Sequence, residues 1–375
     1  MSRRDNFKSI TEFKTPDKLI VDLFGCPLSG MADEAVLKLN RFLGYDDGDA
    51  FYNDPHSGCR AVNEKMLRHY DIDTRGIGDI LAPYSTLSKK VSETENVDIW
   101  GITRKYTGLY WDIVKSPLEG ATLDDLKNYP FPDPDTVPSK DLENLRAQAK
   151  YLWENTDYLL CASHPTLGVF ELGCWMCGFE DFLFRMAAEP EFVHCFFGRV
   201  LEYQKKISEM YYRAVGEYIH YTSSGDDFAT QYGTFMSVEM FDEMIAPYLK
   251  ERISFTKKFT KAKFLHHSCG NVETLIPSLI DCGVEILNPV QPVSEQMLPA
   301  YLKPKYKGKM VFHGGYDTQR ALPKNTPEQI DCEVKEMMTQ IKQGGGFIFA
   351  AAHNIQVDVS PENIDAFLSA SKKYK

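Results

Sequence analysis

The chain has 375 residues, 43% hydrophobic and 25% charged, the proportions of a globular protein with room for a sizeable core. Its net charge of −11 argues against a nucleic-acid partner, and it leaves room for a small acidic substrate held by local arginines. No run reaches the roughly 18 apolar residues that span a bilayer. The nine cysteines, scattered and with no apolar leader before them, point to free thiols in a cytoplasmic setting.

Eight short apolar runs have the composition of buried strands: Leu19–Phe24, Asp79–Ala82, Tyr158–Ala162, Tyr218–Thr222, Phe264–Cys269, Val284–Asn288, Met310–His313 and Phe347–Ala351. Between the second and third, Asp98–Val114 reads as a β-hairpin insertion with Gly108 near its turn. Tyr129–Pro138, with four prolines, reads as a surface connection, because proline cannot sustain a helical ladder. Helical patterns follow at Glu189–Ala214, Ser237–Phe259 and Thr326–Gln343. In the last, Thr326 is the cap, Pro327 the first helical residue and Gly344–Gly346 the stop. Alternating strands and helices imply parallel pairing, and eight strands imply closure. The expected fold is α/β, a (β/α)8 TIM-type barrel with N-terminal additions and a β-hairpin insertion, one domain over residues 1–375.

Polar, reactive residues gather where the expected strands end, the face on which barrels place their chemistry. His267 and Cys269 lie two apart in a strand and therefore point the same way, whereas His266 and Ser268 face the other way. Imidazole and thiolate together suit zinc; the alternative is a buried thiol beside a hydrogen-bonded histidine. A catalytic zinc takes three protein ligands, and His353, after the last strand, is the candidate third; it serves equally as a general acid or base. Asp226 and Asp227 are adjacent, so at most one enters the site, as ligand, orienting partner or proton carrier; the other use of such a carboxylate is helix capping. Gln231, Asn288 and Gln291 are candidates for orienting a polar substrate, although Asn288 before Pro289 also suits a turn. Tyr110 on the hairpin is a candidate lid residue, and Arg75 a carboxylate clamp. Cys174 and Cys177 have C-x-x-C spacing without a second pair, and read as helix residues in the core.

Several stretches carry a family resemblance: Phe264–Asn271, Glu285–Gln291, Phe312–Gln319, Gly344–Gln356, Ser224–Asp227 and Phe170–Gly178. Together they resemble the uroporphyrinogen-decarboxylase-like superfamily, and within it the branch of cobalamin-dependent methyltransferases. That resemblance implies a single barrel and a zinc held by an H-x-C pair, here His267 and Cys269, with a distant cysteine. His353 stands where that cysteine is expected. It further implies transfer of a methyl group between a small substrate or thiol and a corrinoid. No D-x-H-x-x-G signature is present, so the corrinoid is expected from a small partner protein. Family analogy is the only ground for a homodimer. Two rivals stand beside this reading: a metal-free decarboxylase using His353 and an aspartate, and a barrel that binds a metabolite or tetrapyrrole without turnover. The arginine-rich N-terminal motif with which the decarboxylases hold their substrate is missing here.

Overall fold

Strand-forming runs and intervening helices produce a ring of parallel strands. The computed structural model describes residues 1–25, 29–45, 53–54, 59–60, 62–78, 89–108, 110–163 and 166–375. Seven strands, Thr74–Ile77, Leu159–Ser163, Tyr221–Gly225, Lys263–His267, Ile286–Val290, Val311–Tyr316 and Phe347–Ala351, pair in this order as one parallel sheet. The two open edges meet across residues 19–22. Val21 bridges Phe349 in parallel, Asp22 N–H donates to Phe349 O at 2.9 Å, and Asp73 N–H donates to Val21 O at 3.1 Å. This segment is the eighth stave, so the fold is the expected TIM-type barrel. The expected strand Asp79–Ala82 lies outside the described residues.

Helices pack around the ring, among them Val169–Cys177, Pro190–Val215, Pro327–Lys342 and Pro361–Tyr374. The helix expected over Ser237–Phe259 is two, Val238–Met244 and Ala246–Thr256. Pro247 is the reason: it has no N–H to give, and its ring would crowd the preceding turn. Thr326 caps as expected, its side chain accepting from Gln329 N–H in a reciprocal capping box. The strand expected at Tyr218–Thr222 runs instead from Tyr221 to Gly225. Small hydroxyl residues that resemble a loop in sequence fit the tight barrel interior.

The ring is filled from below. Phe7 and Ile10 on helix Arg3–Thr11 close its lower end against an apolar layer of Ile20, Leu159, Tyr221, Leu265, Ile286, Val311 and Ile348. Each such fully buried side chain contributes on the order of 1.5–3 kcal/mol. Two residues further along, on the same inward face, stand Asp22, Ser223, His267, Asn288 and His313, all buried.

The insertion is larger than a hairpin: a four-stranded antiparallel sheet of Lys89–Lys90, Glu95–Val97, Thr103–Tyr106 and Trp111–Lys115. It leans on the barrel's upper end, where Arg104 lies 4.6 Å over the Trp175 ring and Tyr110 Oη donates to Gln356 Oε1 at 2.6 Å. Among the described residues, no helix is long and apolar enough to cross a membrane.

Candidate metal centre

The Lys263–His267 strand alternates as its sequence implies. His266 faces the helices, stacked on Phe228 with ring centroids 5.6 Å apart and Nδ1 3.0 Å from Ser224 Oγ. Leu265 and His267 face the barrel axis. Beyond the strand the chain turns at Gly270, at φ 85°, where a Cβ would lie 2.5 Å from Thr230 O; only glycine fits there. Gln291 accepts the Gly270 N–H at 2.9 Å and secures the turn.

That turn delivers Cys269 to Asp227. The carboxylate accepts from Cys269 N–H at 2.8 Å and from its Sγ at 3.1 Å, and its Oδ1 lies 3.6 Å from His267 Nε2. One ligand atom from each of Asp227, His267 and Cys269 lies within 4.8 Å of the others. The adjacent carboxylate goes elsewhere. Asp226 accepts from Phe170 N–H at 3.1 Å and Glu171 N–H at 2.7 Å, capping helix Val169–Cys177, whose first flanking residue, Gly168, has no side chain to do so. A Cβ on Gly168 would fall 2.0 Å from Asp226 Cγ, so the glycine makes this approach feasible. One aspartate of the pair thus holds the scaffold, and the other enters the centre.

His353, the expected third ligand, stands outside that group. Its ring centroid is 5.4 Å from that of His267, with the planes at 72°. Asp227 completes the group because Asp226, beside it in the chain, is engaged by the helix while Asp227 reaches Cys269, a relation that spacing along the chain does not reveal. Glu171 is the residue that sequence reasoning missed. It sits in the first turn of the Asp226-capped helix, close enough for its carboxyl to feel both aspartates.

The electrostatics describe crowded acids. Burial, then Asp227 and Asp226, push the Glu171 carboxyl well above its usual range, with Arg104 partly offsetting them. Burial raises Asp226 to about 7 against the lowering effect of its two N–H donors. The Cys269 thiol is pushed far up, first by burial and then by Asp227. Burial, reinforced by His267, lowers His353 to about 4, so it is neutral near pH 7. A thiol, an imidazole and a carboxylate converging where negative charge is poorly compensated fit a divalent cation of zinc's character.

The other expected site residues are placed as follows. Asn288 is fully buried with its amide between His267 and His313. Gln231 is exposed and donates to Gln319 Oε1 at 3.2 Å. Arg75 follows Thr74, whose hydroxyl reaches Asp22 inside the ring, so Arg75 points outward; it grips Glu64 at 2.8 Å and lies 3.7 Å over the Tyr158 ring. Cys174 and Cys177 are buried on the helix face, with burial pushing both thiols up, Cys177 to about 12.

The model of the uroporphyrinogen decarboxylase (URO-D) family matches residues 121–374. The chain belongs to the uroporphyrinogen decarboxylase family. The matched stretch contains the whole Asp227, His267 and Cys269 group together with Glu171 and His353, and excludes both the inserted sheet and Asp22. Among solved structures, a methyltransferase from Methanosarcina mazei aligns over 100% of this chain and 99% of its own, with TM-score 0.63 and 15% identity, a likeness of fold. A glycoside hydrolase family 5 enzyme from Prevotella bryantii B14 aligns over 60% of this chain and 86% of its own, at 9% identity and a TM-score of only 0.32. A search of curated proteins finds no match.

Proposed function

We propose that this URO-D-family protein is a zinc-dependent methyltransferase that moves a methyl group between a small substrate or thiol and a corrinoid carried by a partner protein. The observation that carries the reading is the convergence of Cys269, His267 and Asp227 within 4.8 Å at the upper mouth of the barrel. The full-length fold likeness to a protein described as a methyltransferase supports it.

Zinc, when bound, acts as a Lewis acid that lowers the pKa of a thiol or oxygen partner towards neutrality. His267 would supply an imidazole nitrogen. Cys269 would supply sulfur, and Asp227, which holds the Cys269 backbone in place, would offer an oxygen. His353, neutral near pH 7, is placed to accept a proton or a hydrogen bond from the methyl acceptor. Glu171, its carboxyl pushed well above its usual range by burial and the two aspartates, stands nearby.

The decarboxylase reading is less well served. A polycarboxylate substrate would meet Asp227 at the mouth, while Arg75 is committed to Glu64 on the outer face.

Metal analysis of protein purified without chelator tests the proposal. We expect close to one zinc per chain, lost in Cys269→Ala together with turnover. Bleaching or regeneration of methyl-corrinoid absorbance with a panel of thiols then reads the transfer itself. A zinc-free protein that still binds its substrate would sink the reading.

A further inference from the structure

In the same inward-facing layer as His267, three buried polar side chains are joined in series. Asp22, His313 and Asn288 lie on three different staves and are 2%, 0% and 0% exposed. Nε2 of His313 is 2.7 Å from Asp22 Oδ2, Nδ1 of His313 is 2.7 Å from Asn288 Nδ2, and Asn288 Oδ1 is 2.6 Å from His267 Nδ1. Asp22 is itself held by Gly25 N–H at 2.8 Å and by the Thr74 hydroxyl.

The chemistry of each group fixes the direction of the series. A carboxylate only accepts, so His313 donates from Nε2, and in the neutral imidazole its Nδ1 is then the acceptor. An acceptor there requires the amide nitrogen of Asn288, which turns the amide oxygen towards His267. An amide oxygen also only accepts, so His267 carries its proton on Nδ1. Its Nε2 lone pair then faces Asp227 and Cys269.

We propose that Asp22, His313 and Asn288 form a positioning relay that fixes His267 as the Nδ1–H tautomer, keeps its Nε2 ready for a divalent cation, and thereby sets the metal affinity of the centre. The metal half of this inference rests on the reading in the preceding subsection; the tautomer half does not. Outer partners of metal-bound histidines are worth about 10–100-fold in affinity, which is the effect expected here. Asp22, at the start of the series, lies outside the stretch matched by the family model, so the relay joins an element outside that stretch to the centre within it.

Long-range 15N–1H spectra of the metal-free full-length protein report the His267 tautomer directly and need no variant. The expected result is a protonated Nδ1 and an unprotonated Nε2. In parallel, Co2+ binding is followed by its visible absorption in wild type, His313→Gln and His313→Phe. Glutamine can still accept from Asn288 and donate to Asp22, so it should bind within a few-fold of wild type. Phenylalanine breaks the series and should weaken binding about 10–100-fold, with mixed His267 tautomers. A protonated Nε2 in the wild type, or His313→Phe binding Co2+ as tightly as wild type, would overturn the relay. A wild type with the expected tautomer and no affinity for Co2+ or Zn2+ would support the tautomer assignment and overturn the metal reading. Should His313→Phe fail to fold, the wild-type spectrum and Asp22→Asn, read for the same tautomer mixing, decide the matter.

Discussion

The lower and upper halves of the barrel interior differ by one step along the same strands. Leu265 precedes His267, Ile286 precedes Asn288, Val311 precedes His313 and Ile20 precedes Asp22, each pair two residues apart and sharing the inward face. The lower members pack with helix Arg3–Thr11 as an apolar plug. The upper members exchange hydrogen bonds. The division of labour is therefore vertical: burial below holds the ring together, and polar groups above do chemistry without having to supply its stability.

Substitutions on adjacent layers separate these roles. Cys269→Ala should remove the metal and with it turnover, a larger loss than the 10–100-fold expected of outer partners, while thermal unfolding of the metal-free protein changes little. Leu265→Ala, one layer and more below, should do the reverse. It should cost about 2–5 kcal/mol in denaturant unfolding and leave Co2+ affinity close to wild type.

The lower half also holds a histidine, and its behaviour sharpens the contrast. His220 stands at the foot of the Tyr221–Gly225 strand with Nδ1 accepting from Leu160 N–H at 3.0 Å and its ring 5.0 Å from that of Trp153. Burial lowers its pKa from 6.5 to about 4. Between those values the unfolded chain binds more protons than the folded one, so stability rises with pH. The contribution of this group is complete above pH 6.5 and is lost as pH falls through about 4, a span worth up to about 3 kcal/mol. Urea titrations of wild type and His220→Gln from pH 7 to pH 4 should converge as the pH falls.

The two adjacent aspartates allow a finer test. Asp226→Asn should cost about 0.5–2 kcal/mol of stability through the weakened helix cap, with Co2+ affinity largely retained. Asp227→Asn should weaken Co2+ binding with little change in unfolding. If the two variants behave alike, the division between scaffold and centre fails at that point. Smallest of all, Tyr110→Phe removes one exposed hydrogen bond to Gln356 and should cost no more than about 1 kcal/mol, read as a small rise in proteolysis of the inserted sheet.

Much of this arrangement was legible in the sequence. Strand alternation separated His267 from His266, and parallel pairing followed from strands alternating with helices. The polar layer was readable in principle as well: in Leu19–Phe24 and Met310–His313 an inward position carries aspartate or histidine amid apolar neighbours, a costly placement unless it has a partner. What chain order could not convey was which partner. Asn288, read as a substrate contact or turn residue, lies between two histidines on neighbouring staves. The approach of Asp227 to Cys269 depends on Asp226 engaging a helix that begins more than fifty residues earlier. Glu171 lies in the Phe170–Gly178 stretch of resemblance, yet nothing in that stretch marks it for the site; its importance comes from the crowding of carboxyls in space.

Closure at residues 19–22 couples assembly to competence. Asp22 belongs to the segment that pairs with the last strand, so it reaches His313 only when the beginning and the end of the chain have met. A half-made ring can already possess His267, Cys269 and Asp227, yet lack the carboxylate at the far end of their supporting series. Completion of that series therefore requires the seam between residues 19–22 and the last strand.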